Sequence, residues 1–234
     1  MRKPLPILKY ESAHSDIDPN MVRPAKATIS KWFKDTPKWL SPFPPRSAQE
    51  AVPTVKMCTP FLEAMALGYL IHLPMDLVVS IENNVQHLSW RIGGDLVGVR
   101  EEDKISYLPS PIGCSPTHYT WKLPLSFSVP VGYSVLYTQP FNRPELPFVT
   151  LSGVIDGPFV TSAGGSIPFY LKKDFEGVIP QGTPLAQLVP FKNENWEAKE
   201  TKGLIQEGEQ NSRKSKAVLS GWYKSAYWKK KSFN

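Results

Sequence analysis

The chain has 234 residues, 41% of them hydrophobic, which is enough to bury a substantial core. No apolar run reaches the roughly 18–20 residues of a membrane span, and the first residues lack the apolar segment of a secretory signal, so we expect no membrane partner and a cytoplasmic location. The formal net charge is +6, but residues 212–234 hold seven Lys or Arg and no acid, which leaves 20 basic against 21 acidic residues elsewhere. This asymmetry argues against a uniformly basic nucleic-acid-binding protein and assigns the positive charge to the tail.

Composition divides the sequence into three segments. Residues 1–56 are polar and broken by prolines, with Trp32 and Phe33 among lysines, and are predicted to form an aromatic and basic arm. Residues 57–195 consist of short apolar stretches between prolines and glycines, and are predicted to form a β-barrel domain. Residues 196–234 are predicted to be a linker followed by a basic, aromatic tail.

One short helix is predicted before the barrel. The segment from Pro60 to Gly68 has proline at an early helical position, good helix formers after it and glycine to end it. At the other end of the chain, Leu219, Trp222 and Tyr223 recur at helical spacing among lysines, so the tail is predicted to contain an amphipathic helix or to dock as a tail.

Between these two helices the pattern predicts strands. Apolar and polar residues alternate most regularly over 121–129, where Pro124 favours an edge or a bulge. Further strands are predicted at 77–81, 87–92, 133–138, 148–155, 167–171 and 185–191. Regularly spaced short strands with little helix between them indicate a mainly β fold, an antiparallel barrel or sandwich.

The sequence contains none of the common catalytic or metal-binding motifs. The four histidines are scattered, the two cysteines form no C-x-x-C pair, and no nucleophile elbow or phosphate-binding glycine loop occurs. We therefore expect no metal and no cofactor. Cys58 and Cys114 are expected to be free and buried, as in a reducing compartment.

Three segments in the central region carry a more specific signal. Residues 130–140 contain P-x-G-Y, residues 151–159 contain G-V-I-D before a turn, and residues 177–189 contain a G-x-P-x-A-Q-L strand. In order and spacing they resemble the trimeric dUTP pyrophosphatase and dCTP deaminase superfamily. That resemblance implies a homotrimer with a nucleotide pocket between subunits. The whole chain also resembles proteins of tailed-phage genomes, through K-x-C-x-P-F-L-x-A-M at 56–65 and G-T-P-x-A-Q-x-x-P-F at 182–191, which implies action in the host cytoplasm.

The resemblance assigns roles to individual residues. Asp156 matches the aspartate that contacts the deoxyribose and orients water, and Phe159 takes the place of the aromatic residue that stacks on the sugar. Gln187 matches the glutamine of the closing strand near the phosphates, and Tyr133 belongs to the P-x-G-Y strand. Arg143 is the one charged residue where the phosphate-gripping segment is expected.

The departures from that family's pattern matter as much. The phosphate-gripping segment is replaced by residues 138–144, the second aspartate of the hairpin by Gly157, and the glycine-rich lid by the basic tail. A pyrophosphatase needs oriented donors around its phosphates and a closed site. The resemblance therefore implies that the fold is kept and the reaction is lost.

Structural roles also fit the same residues. Asp156 could cap a turn, Gln187 could be a half-buried amide with satisfied hydrogen bonds, and Arg143 could be a solvated loop charge. Residues 213–231 could make weak nucleic-acid contacts through phosphate neutralisation and stacking, or could dock on another subunit.

The leading hypothesis is a phage-encoded, non-catalytic protein that captures a nucleotide or a nucleotide-derived signal, such as a cyclic nucleotide of host immunity. The alternatives are a divergent nucleotide hydrolase that uses Asp156 and a structural or assembly protein of the virion.

Overall fold

Short strands that pair antiparallel make up most of the chain. The computed structural model describes residues 6–12, 20–40, 52–91, 96–100, 108–123, 125–161, 166–217 and 222–233. The strands are β1 (Lys9–Ser12), β2 (Val22–Pro24), β3 (Tyr69–His72), β4 (Leu77–Glu82), β5 (Val85–Trp90), β6 (Val97–Arg100), β7 (His118–Lys122), β8 (Leu125–Ser128), β9 (Tyr133–Thr138), β10 (Phe148–Thr150), β11 (Gly153–Asp156), β12 (Ser166–Leu171), β13 (Gly177–Ile179) and β14 (Pro184–Lys192). The helices are α1 (Lys31–Asp35), α2 (Thr59–Ala66), α3 (Leu204–Ala217) and α4 (Trp222–Ala226), with 3-10 turns at Ala25–Thr28 and Val55–Met57.

The strands form antiparallel sheets around one core. The largest sheet has the order β11-β9-β14-β3-β2, a second has β10-β12-β7-β6, a third has β13-β4-β5, and β1 pairs with β8. Their inward side chains form one hydrophobic cluster. At its centre Trp121 stacks on Phe169 with ring centroids 3.8 Å apart, and Phe148 meets the Trp121 ring edge-on at 5.3 Å.

The chain divides into two compact units. Unit 1 comprises Met1–Ala25 and Gly68–Asn193, and it contains all the sheets. Unit 2 comprises Lys26–Leu67 and Glu194–Asn234, and it contains the four α-helices. The division into residues 1–56, 57–195 and 196–234, which was drawn from composition, remains a prediction.

Within unit 2 a small aromatic group is the main packed feature. The Phe33 and Phe61 rings are stacked at 6.0 Å, and Trp32 meets both edge-on. Lys56 Nζ lies 4.9 Å from the centre of the Phe33 ring and donates to the carbonyl oxygens of Phe33 and Lys34. Trp32 and Phe33, which the composition places in the predicted arm, therefore pack against Phe61 of α2.

Most predicted elements are confirmed. The short helix is α2, the strand over 133–138 has the same bounds as β9, and β4, β5, β12 and β14 lie where alternation placed them. The mainly β, antiparallel class with a C-terminal helix is also confirmed. Pro124 and Leu219 lie outside the described residues.

Two predictions about segments were wrong. The stretches 121–129 and 148–155 are each two strands that belong to different sheets, because β7 and β8, like β10 and β11, have different partners. The segment predicted as a linker contains the 14-residue helix α3. Among the described residues, no helix is both long and apolar enough to cross a membrane.

Candidate functional site

Strand β11 presents the predicted aspartate at the open edge of the largest sheet. Among the described strands it pairs with β9 alone, in a register that sets Asp156 opposite Ser134. Its side chains alternate, so that Gly153 and Ile155 are half-buried while Val154 and Asp156 are exposed. Residues two apart on a strand lie about 7 Å from each other on one face, so the Val154 side chain and the Asp156 carboxylate are neighbours on the surface.

The Asp156 carboxylate is held by a short polar chain. Ser134 Oγ lies 2.5 Å from Asp156 Oδ1 and 2.7 Å from Asn193 Oδ1, and Ser134 itself is buried. A hydroxyl carries one proton, so Ser134 donates to one of these two acceptor oxygens at a time. This chain fixes one carboxylate oxygen and leaves the other available to a ligand.

The turn after β11 places an exposed aromatic residue, Phe159, three positions after Asp156. The Gly157 backbone N–H donates to the Tyr133 carbonyl over 2.9 Å, and a Cβ at Gly157 would overlap the carbonyl oxygens of Val129 and Pro130. Glycine is therefore required there by space alone. The Phe159 N–H then donates to the Asp156 carbonyl over 3.1 Å, and the Phe159 side chain is 66% exposed.

An apolar slot lies between the open edge of β11 and β8. Its volume is about 190 Å³, and the residues that line it include Leu125, Phe127, Tyr137, Val154 and Thr161. The Phe127 N–H donates to Thr161 Oγ1 over 2.8 Å, which ties β8 to the chain that leaves the β11 turn. The Tyr137 ring fills the space where a side chain at Gly153 would be.

A second, wider groove borders the same turn. It measures about 480 Å³ and is lined by residues of β1 and β8 together with Pro158 and Val160. Its wall combines apolar residues with Lys9, Tyr10 and Glu11. The β11 turn therefore separates an apolar slot from a groove of mixed polarity.

Gln187 has a structural position. It is 1% exposed on β14, and its Oε1 accepts from the Phe141 N–H over 2.9 Å. The side chain thus holds the loop between β9 and β10. It is fully buried rather than half-buried.

Arg143 lies in that same loop and is not a solvated charge. Its side chain is 10% exposed, and Nη1 donates to Glu145 Oε1 over 3.4 Å. Burial lowers the pKa of the guanidinium, and the Glu145 carboxylate acts in the opposite direction. Arg143 therefore has a built-in counter-charge.

The five predicted site residues fall into two groups at opposite ends of β9. Tyr133, Asp156 and Phe159 lie together at its start, whereas Gln187 is in register with Thr138 at its end and contacts the loop of Arg143. Six strand residues span about 17 Å between the first and last Cα. One small ligand bound to one copy of the chain cannot reach both groups.

Sequence reasoning missed the residues that support Asp156. Ser134 falls within the predicted strand 133–138, where no motif marks it, and Asn193 lies just beyond β14. Their proximity depends on β9 lying between β11 and β14, which no local pattern reveals.

Possible metal ligands and thiols are the other side chains that would mark a functional site. In the described parts of the chain no three His, Cys, Asp or Glu side chains are grouped so as to hold a metal ion. Both cysteines are free, but Cys58 is exposed and Cys114 is half-buried, so the prediction of burial was wrong for Cys58. Burial raises the pKa of the Cys114 thiol, against the attraction of Lys172.

No family model matches the chain, and no curated protein matches it.

Proposed function

We propose that this chain is a phage-encoded, non-catalytic binding protein that captures a nucleotide or a nucleotide-derived signal, including a cyclic nucleotide of host immunity. The proposal takes the fold to be a dUTPase-like barrel and the host cytoplasm to be the place of action. The observation that carries it is the apolar slot lined by Val154, an exposed residue on the same face of β11 as Asp156.

The slot and the carboxylate suit two parts of a nucleoside. A volume of about 190 Å³ accommodates one ring system but not a whole nucleotide, so the rest of the ligand has to lie outside it. The exposed Val154 side chain leads from the slot to Asp156, whose free oxygen can accept from a sugar hydroxyl. Phe159, exposed in the same turn, offers an apolar face to the sugar.

The position of Arg143 supports binding rather than phosphate chemistry. A phosphoryl-transfer site needs cations aimed at the developing charge. Arg143 is paired with Glu145, and its loop lies at the end of β9 away from Asp156. The cation that the resemblance offered for the phosphates is thus already neutralised.

A homotrimer is part of the proposal. Val131, Val154, Phe159 and Val160 are all more than half exposed around the β11 turn, and a neighbouring copy would cover them. The mass of the native protein in solution tests this point.

The test of capture is a thermal-shift screen of the full chain against mono-, di- and cyclic nucleotides. The chain with Asp156→Asn should bind the best ligand about 10- to 100-fold more weakly, because a hydrogen bond to a charged acceptor contributes about 1.5–3 kcal/mol. Asp174→Asn is the matched control, since Asp174 lies in an exposed turn of the same unit at a positive φ that asparagine accepts. No shift with any nucleotide, or equal affinity in both variants, would contradict the proposal.

The exposed carboxylate keeps a hydrolase as the second candidate. Turnover of a bound nucleotide that Asp156→Asn abolishes would favour it, whereas stoichiometric binding without turnover favours capture. Recovery of the chain in purified particles, without any bound nucleotide, would favour the virion protein instead.

A further inference from the structure

The positive charge of the protein belongs to unit 2 as a whole. Lys26–Leu67 and Glu194–Asn234 together contain 15 basic and 8 acidic residues, a net of +7, and the remaining 12 basic and 13 acidic residues give unit 1 a net of −1. A partner attracted by charge therefore meets unit 2, not the slot of unit 1.

The carboxyl-terminal part of unit 2 concentrates this charge on its surface. Arg213 and Lys214 lie in the last turns of α3, Lys224 lies on α4, and Lys229 and Lys230 follow it, all exposed. Among the described residues, none of these five side chains forms an ion pair, although Lys214 Nζ lies 5.3 Å from the centre of the Trp222 ring. The charges are thus free to meet phosphates.

Two exposed tyrosine rings belong to the same segment as these basic residues. The Tyr227 N–H donates to the Tyr223 carbonyl over 3.0 Å, so the two residues are one helical turn apart on the same face. Tyr223 is 44% exposed and Tyr227 is 56% exposed. Trp222 and Trp228 differ from them, since both are half-buried and their indole nitrogens are buried.

We propose that this surface, formed by Arg213, Lys214, Lys224, Lys229 and Lys230 around Tyr223 and Tyr227, binds single-stranded nucleic acid. The lysines and the arginine neutralise phosphates, and the tyrosine rings stack on bases, a combination that tolerates any sequence. Bases in a duplex are already stacked on one another and do not offer their faces to a tyrosine, so the pair of rings favours a single strand.

The surface is less suited to a lipid bilayer. Helices that lie in a membrane interface present leucine, phenylalanine or tryptophan on their apolar side. Among the described residues of 213–233, the large apolar side chains that are exposed are the two tyrosines. Anionic vesicles are therefore the competing partner in the test.

The experiment measures fluorescence anisotropy of labelled oligo(dT) of about 20 nucleotides with the full chain, at about 50 mM salt, where non-specific affinities of about 1–100 µM are measurable. Binding should weaken with a log–log salt slope of up to about −3.5 if all five cations contact phosphates. A duplex of equal length should bind more weakly. Vesicles of phosphatidylserine and phosphatidylcholine should not bind.

Two sets of variants separate stacking from charge. Tyr223→Ala with Tyr227→Ala should weaken oligo(dT) binding at least about 10-fold at an unchanged salt slope, whereas the corresponding Phe substitutions should keep it, because the ring and not the hydroxyl stacks. Lys229→Gln should reduce the slope by about 0.7, and Lys173→Gln, an exposed lysine of unit 1, should leave it unchanged. Circular dichroism checks that each variant keeps its fold.

Several results would overturn the proposal: no binding at about 100 µM protein, duplex bound as tightly as single strand, Ala variants that bind like the native chain, or vesicles bound in place of oligo(dT). Asp156→Asn should not affect oligo(dT) binding. Failure of the nucleotide screen and failure of this surface are thus distinguishable.

Discussion

The two units differ in where their aromatic residues lie. In unit 1 Trp121, Phe148 and Phe169 are buried and packed against one another. Among the buried hydrophobic side chains of the described chain, only Phe33 and Met65 belong to unit 2, while Trp196, Tyr223 and Tyr227 are exposed there. Unit 1 therefore uses these three rings for stability and exposes Phe159 at the β11 turn, whereas unit 2 leaves several of its aromatic residues available to a partner.

Charge follows the same division. A nearly neutral unit with an apolar slot suits a small ligand whose ring leaves water, whereas a unit of net +7 suits a polyanion. A high isoelectric point can therefore describe one part of a chain and be misleading for the rest. Substitutions in unit 1 should therefore change stability most, and those in unit 2 should change it least.

The largest effect is expected at the centre of the unit 1 core. Trp121→Ala should lower the free energy of unfolding by about 3–5 kcal/mol, because it removes a fully buried ring stacked on Phe169. Trp196→Ala is the control in unit 2, where the ring is 88% exposed and the change should stay within about 0.5 kcal/mol. Urea unfolding of both variants measures the difference. Similar losses of unfolding free energy in the two variants would contradict the expected contrast between the units.

An intermediate effect is expected from a matched pair of glycines. Gly68 has φ +69° and Gly203 has φ +91°, so alanine costs about 1–2 kcal/mol of backbone strain at either position. A Cβ at Gly68 would also overlap the carbonyl oxygen of Leu188, whereas Gly203 faces open space. Gly68→Ala should therefore lower the free energy of unfolding by about 1–3 kcal/mol more than Gly203→Ala does. Equal midpoints of thermal unfolding for the two variants would contradict this expectation, because they would mean that β14 moves away from the added Cβ at little cost.

The smallest effect is expected at an ion pair of unit 2. Lys231 Nζ lies 2.7 Å from Glu63 Oε2, with the two side chains 50% and 23% exposed, and it joins the tail to α2. Lys231→Gln should cost about 0.2–1 kcal/mol at low salt and less at high salt. Lys199→Gln, which removes a pair with Glu197 that is about three-quarters exposed on both sides, should have no measurable effect. A loss at Lys231 as large as that at Trp121 would contradict the view that unit 2 contributes little core.

Local patterns predicted elements wherever one face of a strand meets the core. The segment 133–138 alternates and became β9 with the same bounds. Alternation also continued through 121–129, although that stretch is two strands, because both halves point their apolar residues to the same core. The pattern specifies the face of a residue but not the sheet that its strand joins.

The helix α3 was missed for the opposite reason. Nearly all of its described residues are exposed, so the sequence has no apolar stripe at helical spacing, and Gly208 lowers its helix propensity further. The candidate site was predictable in part. Motifs identified Tyr133, Asp156 and Phe159, but the separation of Gln187 and Arg143 from them depends on strand register.

The claim that unit 1 captures a nucleotide is tested most directly by the molecules that the native protein carries. The full chain is purified without added nucleotide and denatured by heat, and the released small molecules are identified by mass spectrometry beside those from Asp156→Asn and Asp174→Asn. We expect one nucleotide-like compound that is present in the native chain and in Asp174→Asn and depleted in Asp156→Asn. Release of no such compound, or equal amounts from all three proteins, would contradict it.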